Sequence, residues 1–275
     1  MEAVRRALDE DLQSRGDITS QAVIPPGMRA RGRLVMREEG VVAGLPLASM
    51  TFRVLDARVS FRSLANDGER LPAGSEIAEV EGLAATILEG ERTALNFLQR
   101  LSGIATLTSL FVARAAPHGA VILDTRKTAP GLRALEKYAV RAGGGRNHRF
   151  GLFDAVLIKD NHVAAVGGVG EAVRRAREAL GDEFPVEVEV QRLRDLEEAI
   201  QAGAEVVMLD NLDVSEVEEA VRMARGRVKL EASGGISLEN VAAYAAAGVD
   251  FISVGAITHS ARALDIALDL EPLRG

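Results

Sequence analysis

Residues 126–159 (RKTAPGLRALEKYAVRAGGGRNHRFGLFDAVLIK) hold eight Arg and Lys against two acidic residues, a net +6 inside a chain of formal net charge −7. Positive charge focused in this way in an acidic protein suits a small, multiply anionic ligand. Arginine grips carboxylates and phosphates through paired hydrogen bonds, and lysine offers a compact point charge. Only four of the 33 basic residues are lysines (Lys127, Lys137, Lys159 and Lys229), so a lysine kept at a site suggests a need for an ammonium there. Arg133, Lys137 and Arg141 follow helical spacing and are expected on a solvated helix face. Arg126, Lys127, Arg149 and Lys159 fall at strand ends or in a loop, which makes them the candidate ligand-binding cations.

The acidic counterpart is VEVEV at 186–190, where strand alternation puts Glu187 and Glu189 on one face. Asp210 closes the next apolar run. Carboxylates on adjacent strand ends can hold Mg²⁺, with substrate phosphates and water completing its shell. They can equally pair with the nearby cations, and both readings stay open here. ASGGI (232–236) and SVGA (253–256) offer backbone N–H groups ahead of helices, a usual way to hold phosphate.

These residues need elements to bring them together. From Gly103 on, short β-branched runs alternate with amphipathic helices: VILDT (121–125), AVLIKD (155–160), VEVEV, EVVMLDN (205–211), VKLEAS (228–233) and FISVGA (251–256). The helical segments between the later runs end in Gly, a helix C-cap signal. Strand–helix repetition of this kind predicts a parallel sheet. Charged residues recur where the strands end, at Arg126-Lys127, Lys159-Asp160, Glu189, Asp210 and Glu231–Ser233, as they do at the mouth of an α/β barrel. Before residue 103 the pattern is an antiparallel α+β one, with a helix over 2–12 and strand material at 29–43, 59–63 and SEIAEVEG. The expected division is therefore a domain over 1–103 and a barrel over 104–261, with the tail 262–275 packing on the first.

Composition removes several classes. The chain has 275 residues and no cysteine, which excludes disulfides, thiolate nucleophiles and cysteine metal sites. The four histidines lack metal-ligand spacing. Neither a dinucleotide fingerprint nor a P-loop occurs. Net acidity and the absence of Trp argue against nucleic acid as a partner. No apolar run is long enough for a membrane span, and the charged, helical start MEAVRRALDEDLQSRGD is unlike a signal peptide, so a cytoplasmic protein is expected.

The strings ERTALNFLQRLSGIAT (91–106), ILDTRKTAPGLRALEKYAVRAGGGRNHRFGLFDAVLIKDNH (122–162), VEVEV, MLDN, EASGGI and ISVGAITHS together closely resemble the quinolinate phosphoribosyltransferase family, over nearly the whole chain. The resemblance implies an N-terminal α/β open sandwich followed by an incomplete, seven-strand-type α/β barrel, against the six strands legible above. It implies two substrates, quinolinate and phosphoribosyl pyrophosphate, with Mg²⁺ as cofactor and nicotinate mononucleotide as product. Arg126, His148, Arg149 and Lys159 would hold quinolinate with help from Thr125, and Lys127 would serve the phosphate or quinolinate end. Glu189 and Asp210 would meet Mg²⁺ and the ribose, and Ser233, Gly234, Gly235, Gly255, Ala256 and His259 the 5′-phosphate. Lys127, Lys159, Glu189 and Asp210 form the implied catalytic set.

Arg92 would come from a neighbouring subunit of a homodimer or hexamer. It stands at the start of the apolar-periodic segment 91–101, where a helix dipole disfavours a cation, so an anion outside its own helix is expected; Glu89 is the intrachain alternative. Two rival functions remain at this level. A strand-end lysine such as Lys159 suits a Schiff-base lyase. A non-catalytic relative of the same fold would not need the Glu189/Asp210 pair.

Overall fold

A computed structural model describes residues 1–273; the last two residues of the tail 262–275 lie outside the described residues. The chain forms two compact units. The first contains Met1–Ser109, Ala129–Gly144 and the segment from Ala261 on; the second contains Leu110–Thr128 and Gly145–Ser260. Residues 129–144 thus group with the first unit rather than with the barrel segment that surrounds them in sequence.

In the first unit the helices are α1 (Glu2–Leu12), α2 (Ile18–Val23), α3 (Leu45–Leu55), α4 (Ala84–Ala115, whose last turn and a half belongs to the second unit) and α5 (Arg133–Ala142). Strands β1 (Arg29–Met36), β3 (Ser60–Ser63), β5 (Glu76–Leu83) and β12 (Ile266–Pro272) make an antiparallel sheet in the order β12-β1-β5-β3. A small ribbon pairs β2 (Gly40–Val41) with β4 (Arg70–Leu71). Alternation along β1 and β5 sends Leu34, Met36, Ala78 and Val80 into a core with Phe52 and Leu98, while Arg31 and Glu81 pair outside at 2.6 Å. Asp67 accepts from the backbone N–H groups of Gly44 and Leu45 and so caps α3. Gly103 sits where the returning tail crosses α4: a Cβ there would lie 1.9 Å from the Arg262 carbonyl oxygen.

Lys137 corrects the expected solvated face of α5. It is only 2% exposed, because Glu136, Lys137, Ala139 and Val140 form that helix's buried face. Arg100 binds Glu136 there at 2.7 Å.

In the second unit β6 (Val121–Leu123), β7 (Val156–Ile158), β8 (Val186–Val190), β9 (Val206–Asp210), β10 (Lys229–Ser233) and β11 (Phe251–Ser253) form a parallel sheet in the order β6-β11-β10-β9-β8-β7. Helices α6 (Asp160–Val166), α7 (Val169–Leu180), α8 (Leu193–Gln201), α9 (Val214–Ala224), α10 (Val241–Ala246) and α11 (Ala256–His259) follow the strands. This is the incomplete α/β barrel. All six strands fall on the apolar runs of the sequence. The seventh is a single parallel bridge, Leu123 to Arg146, made by Arg146 N–H to the Ile122 carbonyl (2.9 Å) and Asp124 N–H to the Arg146 carbonyl (3.1 Å). Arg146 and its neighbours Gly145 and Asn147 lack the β-branched run that marks a strand, which is why the bridge escapes a sequence reading. Among the described residues no helix is long and apolar enough to cross a membrane.

Candidate active site

Register levels the barrel's strand ends. Ser233 lies beside Asp210 of β9 on one side and Ser253 of β11 on the other. Above these ends opens a cavity of about 640 Å³, lined entirely by the second unit. Thr125, Arg126 and Lys127 enter after β6, His148 and Arg149 after the bridging segment, and Lys159 after β7. Glu189 and Asp210 come from β8 and β9, Ser233, Gly234 and Gly235 from the end of β10, and Gly255, Ala256 and His259 from beyond β11. Every residue that the family resemblance implies for binding or catalysis reaches this one cavity except Arg92; Glu187 and Glu231 do not line it.

The loop GGGRNHR is pinned from below. Asp124, fully buried, accepts from the His148 backbone N–H (2.9 Å) and from Asn147 Nδ2 (2.5 Å). Arg149 is held by burial, and next by the neighbouring Arg126 charge, below the usual guanidinium pKa. Two guanidiniums that oppose each other at a cavity wall are relieved by an anion between them. Lys159 Nζ meets Glu189 Oε2 at 2.8 Å. An ammonium clamped on a carboxylate is a poor nucleophile, which removes support from the Schiff-base alternative.

Asn211 lines the same cavity, and sequence reasoning did not single it out. It adopts a left-handed backbone (φ 56°), donates from Nδ2 to Asp210 Oδ2 at 2.9 Å, and its N–H bonds the Ser233 carbonyl at 2.8 Å. Gly234 (φ +94°) passes so close that a Cβ would lie 2.2 Å from Asn211 Oδ1. Leu157 and Met208 also line the cavity, as ordinary core-type residues that carry no signal in sequence, together with Ile236 and Ser253 of the two glycine-containing segments. Glu231, read as a mouth residue, is 1% exposed and does not line the cavity; its place on β10 puts it below the strand end, with Glu187.

Two expectations about Arg92 change. The helix does not start at residue 91 but at Ala84, so Arg92 sits well inside α4 and no dipole mismatch arises. It is exposed and makes no ion pair among the described residues. For Mg²⁺, Glu189 and Asp210 offer hard oxygen donors at neighbouring strand ends, but one Glu189 oxygen is committed to Lys159. Two carboxylates fall short of the six ligands of Mg²⁺, so the residues suit an ion whose remaining ligands are substrate oxygens and water, not a closed protein cage.

Fold and cavity together define an α/β-barrel enzyme that takes polyanionic substrates at the C-terminal strand ends. Residues 17–102 match the N-terminal domain, and residues 104–269 the C-terminal domain, of quinolinate phosphoribosyl transferase. The nicotinate-nucleotide pyrophosphorylase [carboxylating] of Mycobacterium leprae is 49% identical over 98% of this chain and 96% of its own length. A probable nicotinate-nucleotide pyrophosphorylase [carboxylating] of Bacillus subtilis is 47% identical over 93% and 88%. Among solved structures, NadC from Streptococcus pyogenes superposes with a TM-score of 0.95 at 41% identity, covering 99% of this chain and 96% of that one. The chain belongs to the quinolinate phosphoribosyl transferase family.

Proposed function

We propose that this cavity transfers the phosphoribosyl group of phosphoribosyl pyrophosphate to the ring nitrogen of quinolinate, releasing pyrophosphate and CO₂ and leaving nicotinate mononucleotide, a precursor of NAD. The observation that carries the reading is the facing of Arg126, Arg149 and Lys159 against Glu189 and Asp210 in one cavity.

Arg126, Arg149 and Lys159 neutralise the two quinolinate carboxylates, with Thr125 and His148 completing the pocket, and so aim the pyridine nitrogen at the anomeric carbon. Ser233–Gly235, Gly255, Ala256 and His259 receive the 5′-phosphate, largely through backbone N–H groups. Lys127, whose side chain runs past Gly255, balances charge on the departing pyrophosphate. Glu189 and Asp210 face the ribose, where positive charge develops as the C–O bond to pyrophosphate breaks. Mg²⁺, bound by these two carboxylates with the substrate, would neutralise pyrophosphate oxygens. After the C–N bond forms, the ring nitrogen is cationic. Its charge stabilises the electron pair left on the adjacent carbon when that carboxylate leaves as CO₂, and that pair then takes a proton.

Arg92 belongs to the proposal as a residue lent to a neighbouring subunit, in a homodimer or hexamer. A cytoplasmic location is proposed too, since a substrate of such charge stays in the compartment where it is made. The test is incubation with quinolinate, phosphoribosyl pyrophosphate and Mg²⁺. Equimolar CO₂, pyrophosphate and nicotinate mononucleotide are expected, and equal turnover of nicotinate, which lacks the second carboxylate, overturns the assignment.

A further inference from the structure

Below the cavity three titratable side chains meet: His148, Glu187 and Glu231. Among the described residues they are the group whose ligand atoms lie close enough together to hold a metal ion. His148 Nε2 lies 2.9 Å from Glu187 Oε2 and 3.7 Å from Glu231 Oε2. The other ring nitrogen decides what the cluster can be. The Arg149 backbone N–H donates to His148 Nδ1 at 2.7 Å. That bond needs the Nδ1 lone pair, so the ring carries its proton on Nε2 and donates it to Glu187. A metal on Nε2 would drive the proton to Nδ1, where it would point at the amide hydrogen; an imidazolium meets the same clash. Glu231 on β10 lies within reach of Glu187, their nearest ligand oxygens within 4.8 Å of each other. Burial, and next the Glu187 charge, push Glu231 up to about 8, which favours its neutral form beside Glu187.

We infer that Glu187 and Glu231 are positioning residues: they hold His148 as a neutral Nε2–H imidazole, and through its Nδ1 they fix the Arg149 main chain beside the cavity. The identity of the ligand rests on the function proposed above; the state of the ring does not. His148 then brings shape and a fixed loop to the quinolinate pocket but no positive charge, and the carboxylates are left to Arg126, Arg149 and Lys159.

The experiment reads the histidine ring by ¹⁵N NMR, with His148 assigned by loss of its signals in His148→Gln. In the substrate-free wild type near neutral pH, the neutral Nε2–H tautomer is expected. A doubly protonated or Nδ1–H ring overturns the inference, and neither result needs turnover or a buried substitution. Kinetics adds a second readout. Glu231→Leu removes the carboxyl packed against Glu187 and His148 and should raise KM for quinolinate roughly 10- to 100-fold, with KM for phosphoribosyl pyrophosphate little changed. Glu231→Gln keeps an N–H donor and should restore both the ring tautomer and KM. A Gln variant as impaired as the Leu variant overturns the proposal, as does a Leu variant with wild-type ring and KM. A wild type that does not turn over quinolinate sinks the proposed function while the ring spectrum still decides this one.

Discussion

Arg149 brings one guanidinium, partly stripped of water and opposed by Arg126, to the cavity wall. Arg149→Ala leaves a desolvated substrate carboxylate unpaired, which costs roughly 2–5 kcal/mol, or about 30- to several-thousand-fold in kcat/KM for quinolinate. Circular dichroism should stay unchanged, because the side chain serves the cavity and not the core. Glu231 makes a different prediction, in stability. Its folded pKa is raised from 4.5 to about 8 by burial and then by Glu187. A raised acid favours the folded state below its unfolded pKa, and that contribution is lost as pH rises through the folded value. Wild type should therefore lose stability relative to Glu231→Gln between those two pH values, at up to about 1.4 kcal/mol per pH unit. Urea midpoints of both proteins across that window measure it; parallel curves would show that Glu231 ionises normally.

At the scale of elements, the turn after β10 is built so that backbone reaches the cavity and Asn211 reaches Asp210. Gly234→Ala adds a Cβ against Asn211 Oδ1 at a φ of +94°, so both space and backbone oppose it. The variant should lose roughly 1–3 kcal/mol of stability, and by displacing Asn211 it should raise KM for phosphoribosyl pyrophosphate more than KM for quinolinate. Steady-state kinetics with each substrate varied in turn separates the two effects. Gly103→Ala is the structural counterpart. Its Cβ would strike the Arg262 carbonyl within the first unit, so a loss of roughly 1–3 kcal/mol is expected in thermal melts, with near-normal KM values in the fraction that folds. The strands themselves were readable because each falls on a short, largely apolar run, five of the six ending in charged residues. The bridge at Arg146 was not, since glycines and a polar run carry no periodicity, and only its pairing with β6 defines it.

For the whole molecule, Arg92 is the residue whose role depends on assembly. It is exposed on α4 and outside the cavity of its own chain. If a neighbour's site uses it, Arg92→Ala and Lys159→Ala proteins should each be nearly inactive. Mixed, they should rebuild one site in each hybrid dimer. Random exchange makes roughly half the dimers hybrid, so activity should return to about a quarter of wild type. No recovery despite demonstrated exchange would place Arg92 within its own chain's chemistry. The amino-acid sequence by itself determined the alternation of strand and helix, the cations and carboxylates at strand ends, and the family. Those are properties of local periodicity and of residue type at fixed spacing, which survive without coordinates. Only the tertiary structure decided that Lys137 is buried, that α4 begins before Arg92, and that Asn211 orients Asp210. It alone set Glu231 against Glu187 and His148 beneath the cavity. Each of these depends on which segments, distant in sequence, are brought into contact, and burial and hydrogen bonding at such contacts are set by the partner and not by the residue itself.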